Sequence, residues 1–233
     1  MIKPEQLLPA ITTTRGSDWR GKIKEIDKLG LKQVAIFPTC LKKPERQEMF
    51  SLLKQSKLEA IPLVHLRTDM DFEEIDWLIE NYQTRVMNLH SPQEYKHLVD
   101  YHKAPYGQMI YLENVYSLGF TEEELKKWPG ICLDFSHLEN VRRLEPDNFL
   151  WLEELLKKYP IGCNHISAVA DQRYTDSWGY NVYARHYFEI MAEFDYLKAY
   201  PANYFSSYIG LELENTLEEQ LKVKDYIIDL LKS

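Results

Sequence analysis

Residues 109–137 read MIYLENVYSLGFTEEELKKWPGICLDFSH, and the fold turns on how this stretch is parsed. Two short apolar runs, 109–114 and 131–135, each carry an acidic residue near their end, Glu113 and Asp134. Between them Thr121 and Glu124 have the spacing of a capping box, in which a hydroxyl and a carboxylate satisfy free amides at a helix start. A strand, a helix and a strand in so short a span imply a parallel pair, because a tight turn cannot join parallel strands.

The same alternation continues in both directions. Further apolar runs fall at 7–12, 33–37, 60–66, 86–90, 162–169 and 208–215, which makes eight. Most contain β-branched residues and end at a polar one, as strands buried on both faces do. Helical stripes lie between them. Trp19, Ile23, Ile26 and Leu29 share a face that Gly30 is placed to end. Ile75, Leu78, Ile79 and Tyr82 repeat at helical spacing behind Asp71 as N-cap. Phe149, Leu152 and Leu156 line a helix that stops before Pro160. Thr216 and Glu219 form a second capping box, ahead of a stripe of Leu217, Leu221, Ile228 and Leu231. Eight strand–helix units predict a closed (β/α)8 TIM barrel, and no linker, repeat or low-complexity segment divides it, so residues 1–233 read as a single domain. Pro9 is the awkward residue, since a central strand needs its amide.

The chain has 233 residues, 45% of them hydrophobic and 27% charged, with a formal net charge of −8. An acidic protein offers no general nucleic-acid surface. A small-molecule substrate, or one held through a metal, fits better. Cys40, Cys132 and Cys163 are odd in number and widely spaced, which argues against a disulfide framework and for a reducing, cytoplasmic setting. No apolar run reaches the length of a membrane span.

In a β/α barrel the C-terminal strand ends form the active-site face. Here the third run presents His65, the fourth His90, the fifth Glu113, the sixth Asp134 followed by His137, the seventh His165, and the eighth Glu212 and Glu214. Each alone has an ordinary explanation as a helix cap, a loop residue or a hydrogen-bonded core group. Together they point to a cation. Carboxylates crowded at one buried mouth repel each other and lose hydration, so they need protons or a metal ion. Neutral imidazoles would complete its ligand set.

These strand ends resemble those of the xylose isomerase-like barrels, a superfamily of sugar isomerases, epimerases, inosose dehydratases and the endonuclease IV group (AP endonuclease family 2). The resemblance implies a metal quartet of Glu113, Asp134, His165 and Glu214, one from each of the last four strands. Glu212 shares the strand parity of Glu214, and the position nearer the mouth is the expected ligand. The Asp134-x-x-His137 spacing is a habit of the same superfamily. Where many sugar epimerases carry Gly-x-Gly, this chain has Ala184-Arg185-His186-Tyr187-Phe188. Its Arg-His pair is similar to the endonuclease IV group, but Ala184 stands where that group has an aspartate.

The resemblance implies a divalent ion (manganese, magnesium, cobalt, zinc or iron), with one to three per chain depending on whether His65 and His90 join Glu113 in a further site. One expectation is a sugar or polyol isomerase or epimerase. There Glu113 and Glu214 exchange the proton as acid and base through a metal-stabilised enediolate. His137, His186, Arg185 and Trp178 are the expected substrate contacts, and carbohydrate is the expected substrate. A second expectation is a multinuclear phosphodiesterase resembling endonuclease IV, which His65, His90 and His186 favour and the acidic charge disfavours. A third is a barrel that binds metal or ligand without catalysis. Homo-oligomers are common among such proteins.

Overall fold

A computed structural model describes residues 2–116, 119–176 and 178–232. Eight strands close into a parallel barrel: β1 (Leu7–Thr12), β2 (Ala35–Phe37), β3 (Leu63–His65), β4 (Val86–Leu89), β5 (Ile110–Glu113), β6 (Ile131–Asp134), β7 (Ile161–Ile166) and β10 (Ile209–Leu211). The eighth barrel strand is β10 because two strands outside the barrel intervene, β8 (Ala168–Thr175) and β9 (Asn181–Arg185), which pair as an antiparallel hairpin. The run 162–169 is therefore not one strand. Its barrel part ends at Ile166, and beyond Ser167 the chain turns out into the hairpin.

The helices are α1 (Trp19–Leu29), α2 (Lys43–Gln55), α3 (Phe72–Tyr82), α4 (Glu122–Leu125), α5 (Phe135–Leu144), α6 (Pro146–Lys158) and α7 (Leu217–Leu230). Their starts follow local chemistry. The Asp71 carboxylate accepts from the Glu74 amide at 3.0 Å, and the Thr216 hydroxyl accepts from the Glu219 amide at 3.2 Å. α1 ends at Gly30, as its stripe predicts. The buried stripe of α7 is Leu217, Gln220, Val223, Ile227 and Ile228, with Leu221 only half-buried. The outer layer is less regular than the strands: β4 is followed by two 3-10 turns, and β7 by the hairpin and the 3-10 helix Met191–Ala199.

Pro9 is accommodated by a change of partner. Leu7 to Pro9 register with β10, whereas Ala10 to Thr12 register with β2. The buried Gln220 side chain then serves the Ala10 backbone from α7, accepting from its amide at 2.7 Å and donating to its carbonyl at 3.0 Å. One strand edge is thus completed by a side chain.

Inside the barrel, Leu8, Ala10, Ala35, Phe37, Leu63, Val86, Cys132 and Cys163 form a small core, and the larger core packs helices against the outer wall. A Cβ on Gly210 would stand 2.7 Å from the Phe37 ring and 3.0 Å from Leu63, so β10 yields its space to that ring. The interior packing fills the barrel up to one polar layer at its C-terminal mouth.

Candidate metal centre

The inward parity of the barrel strands carries Thr12, Phe37, His65, Asn88, Glu113, Asp134, His165 and Glu212 to the mouth. Cross-strand register sets neighbours side by side: His65 lies against Asn88, and Asp134 against His165. Glu113, Asp134 and His165 are all but fully buried, and Glu212 nearly so. One ligand atom from each of these four lies within 4.8 Å of all the others.

The atoms are aimed by their second contacts. Asp134 Oδ1 accepts from the His137 amide (2.8 Å) and the Ser136 hydroxyl (2.7 Å), capping α5. Its Oδ2 has no hydrogen-bond partner. Asn88 Nδ2 donates to Glu113 Oε2 at 2.6 Å, because a carboxylate can only accept. Asn88 Oδ1 is thereby turned to His165, whose Nε2 donates to it at 3.1 Å. With Nε2 donating to Asn88, Nδ1 is the His165 atom left facing the carboxylates. In the chain alone, burial opposes charge on the ring, but Glu113 and Glu212 raise its pKa well above the ordinary value. Nδ1 stands 3.3 Å from Glu113 Oε1, 3.4 Å from Glu212 Oε2 and 3.9 Å from Asp134 Oδ2. With metal–ligand bonds of ~2.1 Å, adjacent ligand atoms stand roughly 3 to 3.5 Å apart. The four donors therefore fit a divalent cation, and their two unpartnered atoms are what such an ion would engage.

The structure parts the two glutamates of the eighth strand, and it is Glu212, not the expected Glu214, that lies with Glu113, Asp134 and His165. Glu212 continues the ladder, donating its amide to Ile166 at 3.0 Å. The Leu213 amide then bonds the Leu211 carbonyl at 2.9 Å, a three-residue turn that breaks the pleat. Glu214 no longer shares a face with Glu212. Its carboxylate instead accepts from the Gly16 amide at 3.3 Å, outside the cluster. The turn is held from three sides: the Leu213 carbonyl accepts from Thr12 Oγ1 (2.7 Å), Lys22 Nζ (2.5 Å) and Gln220 Nε2 (3.2 Å).

His65 and His90 gather on the other oxygen of Glu113. His65 Nδ1 donates to the Leu66 carbonyl at 2.9 Å, which leaves Nε2 facing Glu113 Oε2, also at 2.9 Å. His90 Nε2 is 3.8 Å from the same oxygen. These three residues form a second group able to hold a metal, so Glu113 divides its two oxygens between neighbouring sites. Burial holds the His90 imidazole neutral down to about 4, against the pull of Glu113. In the chain alone, burial opposes charge on Glu113, but His165 and His65 hold its carboxyl well below the usual range. Burial likewise opposes charge on Glu212, while His186 and His165 bring it down to about 2.

The expected substrate contacts separate. His137 stays at the mouth, its Nδ1 donating to the Asn114 carbonyl at 2.9 Å and its ring 4.5 Å from that of Tyr116. His186 Nδ1 lies 3.9 Å from Glu212 Oε1. Among the described residues no metal-capable group includes His186 or His137, in keeping with Ala184 in place of a carboxylate. Arg185 is paired with Glu189 and Glu193 and stacks over Tyr187, so its guanidinium is already engaged. Trp178 sits half-exposed at the hairpin turn, which Asp176 organises by accepting from the Trp178 and Tyr180 amides at 2.9 and 2.8 Å. Tyr180, also on the hairpin, brings its ring within 6.1 Å of Tyr116. Asn88 is not among the residues expected from sequence, because a neutral amide two positions before the titratable His90 carries no signal of its own.

No family model matches the chain, and no curated protein does. Among solved structures, the chain is similar to a probable 3-DHS dehydratase, AsbF, involved in petrobactin synthesis in Bacillus anthracis. The two share 15% identity over 97% of this chain and 99% of that one, with a TM-score of 0.48. A candidate xylose isomerase from Rhodospirillum rubrum shares 11% identity over 97% and 99% of the two chains, with a TM-score of 0.40. The barrel assignment rests on the closed strand order itself. No helix is long and apolar enough to cross a membrane among the described residues.

Proposed function

We propose that this chain is a divalent-metal-dependent isomerase or epimerase of the xylose isomerase-like kind, acting on a small sugar or polyol. The observation that carries the reading is the convergence of Asp134 Oδ2 and His165 Nδ1, both buried and unpartnered, on carboxylate oxygens of Glu113 and Glu212. Such a nest is stable only with positive charge at its centre. Glu113, Asp134, His165 and Glu212 would hold the ion. When bound, it supplies Lewis-acid polarisation of a substrate carbonyl or hydroxyl pair.

The remaining work falls to the protein. Glu212 and Glu113 are the proton-transfer pair, with Glu212 Oε1, on the side of His186, free to take or return a proton at carbon. His137, its Nδ1 fixed by Asn114, offers Nε2 to orient a substrate hydroxyl. Tyr116 and Tyr180 wall the approach and exclude water from a reactive intermediate. The test is solvent exchange. The metal-loaded protein, incubated in deuterated water with a panel of ketoses and polyols, should place deuterium at the carbon next to a carbonyl, and Glu212→Gln should abolish it. Bound metal with no exchange on any substrate would overturn the reading.

A second reading has its own observation. Glu113 Oε2 faces His65 and His90, so two ions sharing Glu113 would make a dinuclear centre of the kind that hydrolyses phosphodiesters. Two metal ions per chain by elemental analysis, with hydrolysis of abasic-site DNA or a small aryl phosphodiester, would favour it over the first.

A further inference from the structure

Beneath the quartet lies a layer that the proposed chemistry leaves unused. Cys132 and Cys163 are registered side by side on β6 and β7, one inward position below Asp134 and His165. Both are buried in the barrel interior, and neither is in a disulfide. Buried free cysteines most often serve as small apolar filler, and Cys163 fits that description. Cys132 differs. The stagger between β5 and β6 registers it directly with Glu113. Its sulfur, a Glu113 oxygen and a His165 nitrogen lie within 4.8 Å of one another. The His165 ring, whose Nδ1 is buried and unpartnered, is thus shared between the carboxylate nest above and the thiol below.

We propose that Cys132 is a sulfur ligand on the floor of the metal centre, forming with Glu113 and His165 a second seat one layer below the quartet. The inference rests on the metal reading above and adds which ions sit where. Hard ions such as magnesium and manganese prefer the carboxylate-rich quartet, whereas zinc, cobalt and cadmium accept thiolate and are drawn to the deeper seat. On binding there, the S–H bond breaks, its electron pair goes to the ion as a thiolate donor, and the proton leaves to solvent. A metal–sulfur bond is ~2.3 Å long against ~2.1 Å for nitrogen or oxygen, so a sulfur donor seats its ion slightly farther out. The barrel floor would thereby discriminate between ions that the quartet alone holds similarly.

Cobalt(II) reports the difference directly. Added to the native chain to saturation, it should give a near-ultraviolet thiolate-to-cobalt charge-transfer band. The band should be lost in Cys132→Ala and kept in Cys163→Ala and Cys40→Ala. A cobalt-saturated native protein with no such band, or a band that survives Cys132→Ala, overturns the sulfur ligand while leaving the metal quartet standing. Absence of cobalt uptake overturns both readings. A native spectrum without the band decides against the sulfur ligand before any variant is made, and where Cys132→Ala folds poorly Cys132→Ser, which should also lose the band, takes its place.

Discussion

Asp134 spends one oxygen on structure and leaves the other for chemistry. Oδ1 caps α5 through the His137 amide, while Oδ2 points unpartnered into the nest. The ordinary reading of this residue as a helix cap and the reading of it as a ligand therefore hold at once, on different atoms. Asp134→Asn should keep a hydrogen-bonding cap and lose metal affinity, measured by calorimetric titration. The two glutamates of the last strand make a sharper comparison. Glu212→Gln should weaken metal binding at least tenfold, by analogy with the loss of supporting groups at metal sites, whereas Glu214→Gln should leave it unchanged; the reverse result would return the ligand role to Glu214. Sequence parity could not separate the two, because the break between them is a single backbone bond from Leu213 to Leu211. Lys22 gives a pH prediction. Burial pushes its amine down to about 7 against Glu214, Glu25 and Asp18, from an ordinary value of 10.5. Between these values the unfolded chain binds the extra proton, so this residue makes stability rise with pH across that window, and its cost is fully present below pH 7. Urea unfolding of the native chain and of Lys22→Met at pH 7, 8 and 9 should diverge in the native chain's favour by up to about 1.4 kcal/mol per unit as pH rises; parallel curves would refute it.

At the scale of elements, the barrel strands were readable because each is a short apolar run with polar ends, a pattern that burial on both faces imposes. The hairpin after β7 was not. Ala168–Thr175 is polar and largely exposed beyond Val169, and its partner strand ends at Arg185, just before His186, without an apolar run to mark it. The hairpin's contribution is to carry Tyr180 over Tyr116 at the mouth. Tyr180→Ala should raise KM several-fold while leaving metal stoichiometry unchanged; an altered metal content would mean the hairpin supports the nest rather than the substrate. Gln220 is equally hidden in sequence, as a polar residue on the buried face of α7. It bonds both the amide and the carbonyl of Ala10 beside Pro9, and Gln220→Leu removes both bonds from a buried site. A loss of about 1–3 kcal/mol is expected for such buried orphans, seen as a lower denaturation midpoint at unchanged slope.

For the whole molecule, the net charge of −8 includes carboxylates gathered in the buried nest, where a bound cation stabilises the folded chain by mass action. A bound ion at one hundred times its dissociation constant adds about 2.7 kcal/mol of stability. For a chain of this size that corresponds to a rise of roughly 5–10 °C in Tm on metal addition, reversed by chelator. An unchanged Tm across chelator and metal titrations would deny the centre its ion. The eight-fold closure was legible throughout the sequence, whereas the outer layer was not, since nothing in 90–109 announces that a helix will be missing after β4. The mouth ring also has two unlike arcs. From β3 round to β10 every strand contributes a polar group to the nest, but β1 and β2 contribute Thr12 and Phe37, the latter edge-on to His165 with ring centroids 4.7 Å apart. That division makes the mouth modular for evolution and for the protein engineer. Variation at the buried position 37 alters the packing behind His165 without removing a ligand, so a saturation library there should yield variants that keep the quartet and differ in metal affinity.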